Sequence, residues 1–224
     1  MEQIDNNTIK TDSKPERTPR GRLAKAAQII SDTFMPLLIP VYCMAIAMWI
    51  TPLQILPERT RIGATLGVAI ITAAIPMALL LLLIRAGRIS DVCLSRRRER
   101  TLPMGISIFA FAGAAVYLGM LHAPLWLLSF FCGAAVAVFV AMLINLCWKI
   151  SAHAIGIGGM AGMMLWLTAA GLASVNAIIW LTAIIIAGGL VGSSRLVLER
   201  HTPAQVFAGW LWGCVCVFSF MCIF

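Results

Sequence analysis

The chain has 224 residues, 61% of them hydrophobic, with a mean hydropathy of +0.94 and a formal charge of +8. A composition this apolar excludes a soluble globular domain and implies a multi-pass membrane protein. The basic excess sits at the ends of apolar segments, which points away from nucleic acid and towards an anionic lipid surface or a phosphate substrate.

Residues Met1 to Gly21 are polar, mixed in charge and free of apolar periodicity, so they read as a disordered tail with no secretory signal ahead of it. From Arg22 to Thr33, Leu23, Ala26, Ala27, Ile29 and Ile30 recur at roughly helical spacing among polar residues, and a short interfacial helix is expected there. Apolar segments follow at 34–50, 62–84, 104–121, 124–148, 154–172, 175–191 and 204–224. Each is near the ~20 residues needed to cross a hydrocarbon core of about 30 Å, although Pro36 and Pro40 weaken the first and the fifth and sixth are short. The expectation is an all-α integral membrane helical bundle with seven spans, six being the alternative. Residues 1–33 form the tail and interfacial helix, residues 34–224 form one bundle, and no second folded domain is expected. The seven cysteines lie within or beside apolar segments without metal-ligand spacing and read as small buried apolar residues.

Under seven spans, the tail and the loops at 85–103, 149–153 and 193–203 share one face and carry nearly all the Lys and Arg. The opposite loops offer only Arg59 and Arg61. The positive-inside rule places the basic face in the cytoplasm, and a bacterial inner membrane is the expected location.

Three stretches on that face concentrate the chemistry. The first, Ser90 to Pro103, holds Arg97, Arg98 and Arg100; guanidinium forks bind phosphate oxygens bidentately, and the same charges equally serve to fix topology. In the second, Lys149-Ile150-Ser151-Ala152-His153 leads into an apolar helix, whose N-terminus presents free N–H groups to an anion. The following Gly-Ile-Gly-Gly lacks a preceding strand, so it reads as small residues for close helix packing rather than a dinucleotide fingerprint. The third runs through Ser194, Arg195, Glu199, His201 and Thr202-Pro203-Ala204-Gln205. Its last four residues have the form of an N-cap, a helix-opening proline and a capping-box glutamine. His122 sits in a short connection on the opposite face and reads as an exposed loop residue.

The order Ser194-Arg195, five residues, His201, three residues, Gln205 resembles the third signature of the type 2 phosphatidic acid phosphatase family, which carries aspartate at the last position. Ser151 and His153 resemble the second signature, Pro-Ser-Gly-His, with Ile150 and Ala152 in place of Pro and Gly. The Arg97–Pro103 run is similar to a divergent first signature, with Leu102 where an arginine precedes the proline. The resemblance implies His201 as a nucleophile forming a phosphohistidine and His153 as the acid that protonates the leaving oxygen. It further implies Arg195, Arg97, Arg100, Arg98 and Ser151 as ligands of the phosphoryl oxygens. Gln205 has two readings, a helix cap and a neutral partner that orients His201.

The resemblance implies an integral-membrane lipid phosphatase whose substrate is a phospholipid or polyprenyl phosphate. Acidic residues are sparse after Asp32, so no magnesium site and no cofactor are expected. The rival readings are a weak or inactive member that binds anionic lipid, and a small transporter.

Overall fold

The computed structural model describes residues 21–90, 97–173 and 176–223; the expected tail up to residue 20, the loop residues 91–96 and the side chain of Arg98 lie outside it. Nine α-helices follow one another among the described residues, and no strand occurs among them. They are α1 (Gly21–Thr33), α2 (Ile39–Ile50), α3 (Glu58–Ala69), α4 (Ile75–Arg85), α5 (Thr101–Met120), α6 (Leu125–Cys147), α7 (Ala152–Ala169), α8 (Ala177–Val197) and α9 (Pro203–Cys222).

Among the described residues, six helical segments are long and apolar enough to cross a membrane: Glu58–Arg85, which combines α3 and α4, and then α5 to α9. The segment expected to be the first span is shorter. Pro40 supplies no N–H and opens α2 within its first turn, leaving a helix of 12 residues that reaches about 18 Å. The outcome lies between the seven spans expected and the alternative of six: six full-length helices and one short apolar one among the described residues. α2 still runs from one end of the bundle to the other. Ile39 lies beside Gly156 in an early turn of α7, while the Arg61 guanidinium at the start of α3 stands 5.1 Å from the Trp49 ring centroid.

α3 and α4 are joined by a single π-helical turn, Ile70–Ala74, in which the Ile75 N–H bonds the Ile70 carbonyl. Pro76 follows at once, and its missing N–H breaks the regular ladder that the wider turn bypasses. The bulge leaves Pro76 and Leu80 buried on the inner side of the helix.

α7 is the central helix. Met163, Met164 and Leu167 on it are fully enclosed, together with Phe131 of α6 and Met221 of α9. Large apolar side chains such as Phe109, Val116, Ile178 and Phe207 instead face outwards, as lipid-facing surfaces require. α7 and α9 approach closely enough for their backbones to touch at several glycines. A Cβ at Gly158 would collide with the Trp210 carbonyl, and one at Gly213 with the Ile155 carbonyl. The small-residue reading of the glycine run thus holds, since lipid-immersed helices associate by close van der Waals approach. Of the described cysteines, Cys43, Cys214 and Cys216 are buried whereas Cys132, Cys147 and Cys222 lie on the outer surface, so burial applies to part of that set only.

Candidate functional site

The ends of the helices determine what gathers at one pole of the bundle. α5, α7 and α9 all begin there, so three helix N-termini with their free N–H groups and partial positive charge face the same region. Ser151 caps α7 by accepting from the Ala154 N–H at 3.4 Å. Thr202 caps α9 through a full capping box: its hydroxyl accepts from the Gln205 N–H at 3.4 Å, and the Gln205 Oε1 accepts from the Thr202 N–H at 3.2 Å.

α8 runs on to Val197, so Ser194 and Arg195 belong to its last turns and not to the loop expected from residue 193. The polar side chains stay helical because they point inward, where both are buried. The turn that follows is a Schellman-type reversal. The Glu199 N–H bonds Leu196 O at 3.0 Å and the Arg200 N–H bonds Arg195 O at 3.1 Å, with Glu199 in the left-handed region at φ +52°. Such a position normally takes glycine, and a side chain there is strained.

Between these ends lies a cavity of about 180 Å³. Its polar wall is formed by Arg100, His153, Arg195, Arg200 and His201, with Ser31 and Asp32 from α1. Its other wall is apolar, from Met35, Pro36, Leu37, Pro76, Leu80, Met104 and Ile106. Arg100, Arg195 and His201 are all buried, at 7%, 6% and 8% exposure. Three guanidiniums therefore stand at one wall, and their forked N–H donors are the groups that bind oxyanions bidentately.

The hydrogen bonds fix the imidazoles. His201 Nδ1 lies 3.1 Å from Gln205 Oε1, and an amide oxygen only accepts, so Nδ1 carries the proton and Nε2 keeps its lone pair. Burial pushes the His201 pKa down to about 3; the nearby Arg100, Arg195 and Lys149 charges act in the same direction, against the Gln205 hydrogen bond. The ring is therefore neutral at neutral pH, the form that has a nucleophilic nitrogen. Lys149 is lowered as well, by burial and then by the Arg100, Arg200 and Arg195 charges. The Arg100 guanidinium donates to Ile150 O at 3.3 Å, tying the start of α5 to the turn before α7.

Of the residues singled out in the sequence, Arg100, His153, Arg195 and His201 line the cavity together. Gln205 stands behind His201, and its one side-chain oxygen accepts from both the Thr202 N–H and the imidazole. Ser151 is fully buried as a helix cap and is not part of the cavity lining. Arg97 offers its backbone carbonyl to Asn145 Nδ2 at 3.0 Å and does not line the cavity; the side chain of Arg98 is outside the described residues. His122 is exposed in the connection between α5 and α6. Sequence reasoning missed Ser31 and Arg200. Arg200 adjoins His201 and was within reach, whereas nothing local marks Ser31.

The fold defines a membrane-type helical protein whose helix ends gather arginines and histidines around a cavity at one pole. Residues 145–224, which include His153, Arg195, His201 and Gln205, match the model of the PAP2 superfamily. That match bears out the resemblance read from the second and third signatures and is consistent with a PAP2-type phosphatase; the Arg97–Pro103 run lies outside it. No curated protein and no solved structure matches the chain.

Proposed function

We propose that the chain is an integral-membrane phosphatase that hydrolyses a lipid-borne phosphomonoester or diphosphate, of the phosphatidate, phosphatidylglycerophosphate or polyprenyl phosphate class. The observation that carries this reading is one cavity in which two histidines and three arginines face an apolar wall. An amphiphile with a phosphate head and a hydrocarbon tail satisfies both walls at once, whereas free inorganic phosphate leaves the apolar wall unused.

In the proposed reaction His201 Nε2 attacks phosphorus, an N–P bond forms, and the P–O bond to the lipid breaks. The departing oxygen takes a proton from His153. Water then attacks the phosphohistidine with its proton passing back to His153, a P–O bond forms as the N–P bond breaks, and phosphate and neutral His201 are released. Arg100 and Arg195 hold the equatorial oxygens and offset their charge, with Arg200 and Lys149 adding to the field. The chain's own cations supply the electrostatic stabilisation, and the scarcity of carboxylates argues for turnover without magnesium.

The orientation belongs to the same proposal. The cavity end carries Arg85, Arg88, Arg97, Arg100, Lys149, Arg195 and Arg200, against Arg59 and Arg61 at the far end, which favours a cytoplasmic site. Gln205, in place of a carboxylate, favours a second reading, a slow or inactive member that retains anionic-lipid binding.

The test is phosphate release from a panel of lipid phosphates by purified protein in detergent with chelator, for the native chain and His201→Ala. The expected result is release by the native chain, with the variant reduced by at least ~10³. Release that requires added magnesium, or that survives in the variant, contradicts the mechanism. No release from any lipid leaves the binding reading.

A further inference from the structure

Serine and threonine hydroxyls within the helices of this bundle follow one habit. Those of Thr72, Ser107, Ser129 and Thr168 each bond the carbonyl one turn back in their own helix, at 2.8–3.0 Å. That is the default for such residues, because the local carbonyl is the nearest acceptor. Ser31, in the last turn of α1, is 2% exposed and behaves differently. Its Oγ accepts from the Arg195 guanidinium of α8 at 2.6 Å. Its backbone carbonyl lies 3.2 Å, and its Oγ 3.3 Å, from His153 Nε2 of α7. One residue of an otherwise peripheral helix thus joins the arginine and the imidazole that share the cavity wall.

We infer that Ser31 is a positioning residue of the oxyanion site, holding Arg195 through its hydroxyl and His153 through its carbonyl. α1 thereby completes the site from outside the segment that matches the family model. The inference rests on the phosphatase reading for its substrate, and on geometry alone for the anion.

The chemistry follows from the acceptor types. A carbonyl oxygen cannot donate, so His153 Nε2 carries a proton and that proton remains engaged with Ser31. The nitrogen left to gain and lose a proton is Nδ1. When the ester bond breaks, the Nδ1–H bond breaks and an O–H bond forms on the departing oxygen; the ring returns to its neutral form with Nε2–H still bound to Ser31. Arg195 has five N–H donors in a rigid fork. Anchoring one of its terminal nitrogens fixes the plane of that fork at the cavity wall.

The experiment compares Ser31→Thr with Ser31→Val in the purified full-length chain, a pair nearly equal in shape of which only threonine has the hydroxyl. Orthovanadate affinity is the first readout, since it senses the oxyanion site without turnover. The second is kcat/KM on a lipid phosphate. The expected result is vanadate binding about tenfold weaker in the valine variant than in the threonine variant, with kcat/KM falling in parallel and threonine close to the native chain. Equal affinities in the two variants, tighter binding without the hydroxyl, or no vanadate binding by the native chain overturns the inference. A native chain that releases no phosphate from any lipid, yet keeps the difference in vanadate affinity, sinks the phosphatase reading and leaves the positioning role standing.

Discussion

At the scale of single residues, the Gln205 amide oxygen joins the α9 cap to the His201 imidazole. Glutamate is the other capping-box residue, so Gln205→Glu keeps the cap while giving His201 Nδ1–H a charged acceptor. Turnover is expected to rise severalfold in Gln205→Glu and to fall roughly tenfold or more in Gln205→Ala, as single-turnover phosphate release would record. A glutamate variant as slow as the alanine variant would mean that the oxygen serves the helix alone. His201 also ties stability to pH. Its native pKa of about 3 lies below the ordinary histidine value of about 6.5, so as pH drops through that window the unfolded chain takes up a proton that the native site refuses. The contribution is complete above the ordinary value and is lost progressively on acidification. Thermal unfolding in detergent between pH 7 and pH 5 is therefore expected to show a declining midpoint, with a shallower decline in His201→Gln. Identical slopes would place the proton elsewhere. The spacing of Arg195, His201 and Gln205 was legible in the sequence because these residues lie within one helix end and the next helix start. Ser31 was not, because its partners are 122 and 164 positions away and nothing near it differs from any other helical serine.

At the scale of elements, helix starts were easier to read than helix stops. Thr202-Pro203 marks the start of α9 by its own chemistry, and the structure begins that helix at Pro203. The end of α8 lies beyond the expected one, because a drop in hydropathy at Ser193 does not end a helix whose next residues pack inward. α2 illustrates the converse: an apolar run gives the length of a hydrophobic stretch, but proline decides how much of it is helical. The closeness of α7 and α9 is the element-level feature on which the site depends, since each helix contributes a histidine at or just before its start. Gly213→Val is expected to force the helices apart at Ile155, two residues beyond His153. The cost is about 1–3 kcal/mol in stability and a larger fractional loss of activity than of folded protein. Parallel measurement of folded yield and phosphate release checks this, and a variant with native activity per folded molecule would show that the spacing is not critical.

At the scale of the whole molecule, the chain reverses at the end of each long helix, so its first helix and its last residues lie at opposite poles. α1 meets His153 and Arg195 at the cavity end, whereas α9 leads away from His201 to Cys222. Reporters fused to the two termini are expected to read out on opposite sides of the membrane, and readout on the same side would contradict this path. The fold class was legible from composition, because a chain this apolar has few soluble solutions; the joint cavity was not, since it depends on which helix ends meet. The reversal at Glu199 has a further consequence. It joins Arg195 and His201 through a single hydrogen-bonded corner, so under the proposed mechanism grip and attack cannot be tuned apart by small changes there. The Met35, Leu37 and Ile106 wall has no such tether to the reacting atoms. A lineage built on this plan can exchange one lipid for another by resurfacing that wall, while the corner passes from one specificity to the next untouched.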